Sequence, residues 1–237
     1  VLDYFLRAMY NFPSNKDLVL YCLEGCSNLV DIPACLKLFV ERHGVEPVLK
    51  CMLMLPQNLD AIMSSLRLCY LTFQKDESQI EMMARERVIS VILYAVDTLD
   101  DADDMASVLQ MLQVLCMNEH CCELVLQQPF IKSFMDVHQK FVKDILVNET
   151  ILYVLWYMSN YDAMHSALFA GRNFELIPTI MADFKSSDAI QRETCKLLYK
   201  LSCRYDMKDS LREEGISRNL LEVVHDFPNK YDILRPA

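Results

Sequence analysis

Phe12-Pro13-Ser14-Asn15 and Leu55-Pro56-Gln57-Asn58 stand 43 residues apart, and Phe227-Pro228-Asn229 falls four steps of 43 beyond the second. Each closes an apolar stretch and opens a polar one. Proline cannot continue a helix, so each marks a place where one has just stopped. The positions at the intermediate steps, Thr98, Phe141 and Phe184, end apolar stretches in the same way. A constant period of this length is the mark of a repeat array, in which each unit buries its apolar face against its neighbours.

A second landmark keeps nearly the same step. Leu71, Met158 and Leu201 end apolar stretches and are each followed by Thr or Ser, and Leu115 holds the same place before Cys116. Leu68, Leu112, Leu155 and Leu198 stand three residues earlier, on the same helix face. In the first unit Leu29 fits this place, and Cys26 fits it equally with a three-residue shift. Gly44, Gly171 and Gly215 each precede an apolar stretch, at 45–55, 174–184 and 216–227. That position predicts a left-handed cap at the glycine. Pro33, Pro47, Pro129 and Pro178 fall in first turns or linkers, where a missing N–H is tolerated, and Pro236 falls in the tail.

Each unit therefore reads as three helices. A long one is predicted at 15–30, 58–73, 102–117, 144–160 and 188–203. A short connecting helix follows, near 31–43, 75–86, 119–128, 161–170 and 205–214. A medium helix closes the unit, and the chain opens inside such a helix at 1–11. The expectation is one continuous all-α domain over 1–237, entered mid-repeat and so cut from a longer chain.

Composition agrees with long helices and short connections. The apolar fraction is 53%, with 4 Gly and 8 Pro in 237 residues. The longest apolar run, from Val88 to Val96 with Ser90 inside it, is far short of a membrane span. A net charge of −10 repels phosphate backbones and anionic membranes, so the reading is no nucleic acid and no membrane insertion. None of the ten cysteines forms a Cys-x-x-Cys motif, and most sit among Leu and Met at helical spacing, as small hydrophobes do. That usage points to a reducing compartment, cytoplasmic or nuclear. Asn148-Glu149-Thr150 matches a glycosylation triplet, a short motif of little weight.

At this point the sequence resembles the armadillo repeat family, over essentially its whole length, with about five repeats. Gly44-Val45-Glu46-Pro47-Val48-Leu49 matches the family's glycine and first apolar helix. Leu155-Trp156-Tyr157-Met158-Ser159-Asn160 matches its closing helix, with a Trp four residues before an Asn. HEAT arrays, with two helices per unit, are the structural alternative. The resemblance implies a right-handed α-solenoid of three-helix repeats whose long helices line a concave groove for a partner protein or peptide. The Trp and Asn ladder of the family's nuclear-import adaptors is present here at one rung, Trp156 and Asn160. Cys69, Gln113 and Tyr199 stand at the other Trp places, and Phe73, Met117 and Cys203 at the other Asn places.

Helical spacing puts Tyr153, Trp156 and Asn160 together on that face, with Arg192, Lys196 and Tyr199 on the next long helix. Aromatic rings beside two cations suit a partner with an acidic segment. The first half offers a more apolar face, with Phe73, Met117, Gln110 and Gln113. The bland alternative is that the rings pack between repeats and the cations are merely solvated. Asp97, Asp100, Asp101, Asp103 and Asp104 lack the glycine turn and final Glu of a calcium loop, and read as an inter-repeat turn that caps the next helix. Cys116 and His120-Cys121-Cys122 lack finger spacing, so no metal is expected. His43, His120, His138, His165 and His225 are scattered, and no nucleophile elbow, P-loop or dinucleotide fingerprint occurs, so neither catalysis nor a cofactor is expected. The reading is a non-catalytic scaffold or adaptor. The alternatives are a targeting, regulatory or substrate-recognition arm of a larger kinase or ubiquitin-ligase complex, and an adaptor that self-associates.

Overall fold

A computed structural model describes residues 1–170, 173–214, 216–228 and 230–235, with the side chains of residues 77, 205, 206, 231 and 234 outside the description. Gly171, Gly215, Asn229 and Pro236 from the sequence reading lie outside the described residues. Among the described residues all regular structure is helical. The chain divides into two compact units, Val1–Val125 and Leu126–Ala237.

The first unit holds α1 (Leu2–Asn11), α2 (Lys16–Val30), α3 (Pro33–Glu41), α4 (Val45–Met54), α5 (Leu59–Phe73), a 3₁₀ segment (Glu77–Met83), α6 (Glu86–Thr98), α7 (Ala102–Leu115) and α8 (Glu119–Leu126), which ends at the boundary. The second holds α9 (Phe130–Lys140), α10 (Ile145–Met158), α11 (Ala163–Leu168), a 3₁₀ turn (Asn173–Glu175), α12 (Leu176–Asp183), α13 (Asp188–Ser202), α14 (Tyr205–Glu213), α15 (Ile216–Asp226) and α16 (Tyr231–Leu234).

The 43-residue step has a local cause. Asn15, Asn58, Asp101, Asp144 and Ser187 follow one another at that step, and each is the N-cap of a long helix. Each side chain accepts a hydrogen bond from a first-turn backbone N–H, at 3.2 Å from Leu18, 3.0 Å from Ala61, 3.0 Å from both Asp103 and Asp104, 2.9 Å from Val147 and 3.4 Å from Ile190. Such a cap satisfies a donor that the helix itself leaves open, and contributes about 1 kcal/mol. The turn before the cap also recurs. The N–H groups of Asn15, Asn58, Asp144, Ser187 and Lys230 donate to the carbonyls of Phe12, Leu55, Phe141, Phe184 and Phe227, at 2.9–3.1 Å. The turn at 98–101 differs, since Leu99 leaves the helix in an extended conformation (φ −67°, ψ 133°).

Within each unit the helices pack in two rows. In the first, α2 lies against α5 and α5 against α7, while α1 lies against α4 and α4 against α6. In the second, α10 lies against α13 and α13 against α16, while α9 lies against α12. Many side-chain contacts between neighbours in a row join residues one step apart. Cys51 Sγ donates to the Met9 carbonyl at 3.6 Å, and Lys50 Nζ to the Tyr10 carbonyl at 2.9 Å. Leu68, Ile62, Phe73, Leu112 and Leu155 are among the fully buried side chains between the rows.

The short connecting helix expected near 75–86 is a 3₁₀ helix over Glu77–Met83. Asp76 accepts from both the N–H (3.2 Å) and the hydroxyl (2.6 Å) of Ser78, a local bond that competes with α-helical pairing. The cap at the end of α3 also corrects the sequence reading. Gly44 is right-handed (φ −62°), and the left-handed residue is His43 (φ 52°). Gly44 N–H donates to the Phe39 carbonyl at 2.9 Å and His43 N–H to the Val40 carbonyl at 3.0 Å, which is a Schellman ending. Glycine is needed at 44 for room, because a Cβ there would sit 2.5 Å from the buried Phe39 ring.

Candidate partner-binding face

Five of the nine residues expected on the concave face lie on α10 and α13, which pack side by side, and Asn160 lies two residues past the end of α10. Tyr199 is 56% exposed, Asn160 and Lys196 are exposed, and Tyr153, Trp156 and Arg192 are half-buried. Gln110 and Gln113 are half-buried on α7. Phe73 is 1% exposed and belongs to the core of the first unit, so the expectation that it lines a surface is corrected. The reason is local: α5 is buried along Leu68, Cys69, Thr72 and Phe73, so its end points inward.

The aromatic patch is already occupied from within the unit. Lys200, on α13, places Nζ 3.4 Å from the centre of the Trp156 ring and donates to the Trp156 carbonyl at 2.8 Å. Tyr157 meets the Trp156 ring edge-on, with centroids 5.0 Å apart and planes at 85°. Burial pushes the Lys200 ammonium down to about 8, while the ring face and the carbonyl favour its charged form and oppose that shift. One turn on, Arg204 donates to Asp162 at 2.7 Å and to the Ser159 carbonyl at 3.4 Å. Asn160 Nδ2 closes the end of its own helix on the Tyr157 carbonyl at 2.9 Å.

The two expected cations share a buried carboxylate. Glu193 is 6% exposed and accepts from Arg192 Nε at 3.0 Å and from Lys196 Nζ at 2.8 Å. Arg192 also approaches Asp232 at 3.5 Å, and this neighbourhood holds its guanidinium above the ordinary value, the Glu193 hydrogen bond most of all. Tyr153 sits 3.5 Å from Glu149, and burial first, then the Glu193 and Glu149 charges, pushes its phenol up. The face is thus an internally balanced mixture of ring and charge. Lys200 and Glu193 escaped the sequence reading. The signal for Lys200 was its place one repeat beyond Trp156. Glu193 carried no signal, because a Glu between Arg and Thr on a helix usually faces water.

Other expected features fall as follows. Asp101 caps α7, as the acidic turn suggested. Burial pushes the Cys26, Cys51 and Cys69 thiols up to about 12 and those of Cys121 and Cys195 to about 11. Cys116 is raised as well, by its hydrogen bond with Cys122 and then by burial. Protonated thiols in apolar surroundings behave as core side chains. Asn148 is fully buried: its Nδ2 donates to the carbonyls of Phe141 (2.9 Å) and Asp144 (2.8 Å), leaving Oδ1 facing His138 Nδ1 at 2.7 Å. His138 Nε2 lies 3.0 Å from Asp183, so this histidine ties α9, α10 and α12 together. Among the described residues, no three His, Cys, Asp or Glu side chains are grouped to hold a metal ion, and no helix is long and apolar enough to cross a membrane. The chain matches no known family model and no curated protein.

Proposed function

We propose that the chain is built of armadillo-type repeats, stacked within each unit as an α-solenoid, and that it serves as a non-catalytic scaffold that holds a partner protein or peptide against the face formed by α10 and α13. The recurrence of the side-chain cap at Asn15, Asn58, Asp101, Asp144 and Ser187 supports the repeat reading, because it fixes where every long helix starts. For the binding face, the supporting observation is the row of exposed Tyr199 and Lys196 and half-buried Trp156 on adjacent long helices, with exposed Asn160 just past the end of α10. Rings of this kind offer large contact area at low entropy cost, and such residues are enriched at interface hot spots. Asn supplies donors and acceptors for a partner's backbone.

Because Arg192 and Lys196 already share Glu193, an acidic partner gains less from them than two free cations would give. Ring contact at Tyr199 and Trp156 is the stronger part of the reading. The test is affinity capture with the wild-type chain, with Tyr199→Ala and with Trp156→Leu, each variant first shown to be folded by circular dichroism. Loss of the same captured partners in both variants is the expected result. An unchanged set of captured proteins with both folded variants contradicts the proposed face.

A further inference from the structure

We propose that a cavity of about 390 Å³ between the end of α13 and helices α14 and α15 is an anchor site for an acidic peptide segment of a partner protein, with a bulky apolar side chain of that segment inserted. The proposal deepens the binding-face reading and rests on it, since Tyr199 belongs to both surfaces.

The floor is apolar. Leu198, Leu211 and Ile216 are 2%, 6% and 6% exposed, and Leu220 is half-buried beside them. Tyr199, 56% exposed, is part of the wall. The volume lies at the low end of ligand pockets, which run about 300–1,000 Å³, and suits one or two large side chains better than a cofactor.

The rim supplies the charge argument. Lys208 and Arg212 stand four residues apart on α14, hence on one face of it. Both are exposed, and neither forms an ion pair with another described residue. Asp209 lines the cavity too, so the lining carries two cations and one carboxylate. This contrasts with Arg192 and Lys196, which a buried Glu193 holds in place. Rim cations with no ion pair among the described residues, around an apolar floor, attract carboxylates and admit a hydrophobic side chain between them. Ser217, also exposed, adds a hydroxyl that can bond a peptide backbone, and Ser202, whose hydroxyl donates to the Tyr199 carbonyl at 2.7 Å, can accept from one. A polyphosphate ligand would leave the apolar floor unused.

The experiment is a methyl-detected titration of the full chain with a synthetic peptide of alternating Glu and Leu, and separately with its Lys and Leu counterpart. The expected result is saturable shifts of the Leu198, Leu211, Ile216 and Leu220 methyls with the acidic peptide, much weaker with the basic one. Replacing both Lys208→Glu and Arg212→Glu, which are exposed, should weaken that binding about tenfold or more. Leu220→Ser should weaken it at unchanged rim charge. Shifts at the Trp156 indole with none at the four methyls would overturn the cavity proposal and leave the α10–α13 face standing. Shifts confined to the four methyls would uphold the cavity and count against the larger face. Equal response to both peptides, an unchanged affinity in the double variant, or no shift at millimolar peptide would overturn the cavity proposal outright.

Discussion

The two units use one 43-residue step and hold it with a different balance of contacts, the second carrying more ion pairs across it. In the first, contacts across a step are thiol to carbonyl, Cys51 to Met9 and Cys121 to Ile80, beside one cation on a ring and its carbonyl, Lys50 at Tyr10, and one ion pair, Arg42 to Asp3 at 3.5 Å. In the second, they are ionic or charge-assisted: Arg204 to Asp162, Arg192 to Asp232, Lys230 to Asp188, Lys185 to Asp226 and Lys200 to Trp156. The module therefore does not depend on one set of side-chain contacts. Helix length, cap and turn set the step, and the inter-helix contacts can diverge. The contrast also says where pH and salt should act, since buried apolar packing is insensitive to both and charged contacts are not.

The largest expected effect comes from the buried network of the second unit. His138→Ala removes a 1%-exposed ring and strands Asn148, so it should cost about 3 kcal/mol, read by urea denaturation and by hydrogen exchange resolved to residues 126–237. Loss of protection over residues 1–125 of equal size would erase the distinction between the units. In the first unit, Gly44→Ala forces a methyl against the Phe39 ring and should cost about 2 kcal/mol. The adjacent His43→Gly should do the opposite, stabilising by up to about 1 kcal/mol, because it relieves a left-handed non-glycine residue.

Asn58→Ala should cost about 1 kcal/mol through the lost cap. Lys200 sharpens the comparison by pH. Below about 8 the folded and unfolded chains both carry its charge, and the folded chain bears the desolvation. Between about 8 and the unfolded value of 10.5 the folded chain sheds the proton while the unfolded chain keeps it, so Lys200 makes stability rise with pH across that window. Comparing wild type with Lys200→Met isolates the contribution, and identical slopes would contradict it. The smallest effect is salt. Raising NaCl to 1 M should lower protection of the second unit by less than about 1 kcal/mol and of the first, with its fewer ion pairs across a step, by less than that.

Much of this architecture was legible in the sequence. The long helices expected at 15–30, 58–73 and 188–203 are Lys16–Val30, Leu59–Phe73 and Asp188–Ser202. Leu and Met at helical spacing carry that information locally, and so do Pro13 and Pro56 at the stops. The Schellman ending was placed one residue late, because a glycine needed for space and a glycine needed for left-handed φ look the same in a sequence. Helix-face position was legible for Tyr153, Trp156, Arg192 and Lys196. Their partners were not: Lys200 meets Trp156 through packing between helices one step apart, and Glu193, on the same helix as Arg192 and Lys196, is a partner only because its side chain is buried. Phe73 shows the same limit: spacing gives a face, and the neighbouring helix decides whether that face sees water.

Within each unit, equivalent long helices one step apart lie in contact. The sequence has a single Trp, so its signals are unambiguous. Nuclear Overhauser effects between the Trp156 indole and the Lys200 side-chain methylenes test that contact directly. Strong cross-peaks with ring-shifted Lys200 methylenes, both abolished by Trp156→Leu, are the expected result. Lys200 methylenes at their ordinary positions, with no cross-peak to the indole, would contradict the account.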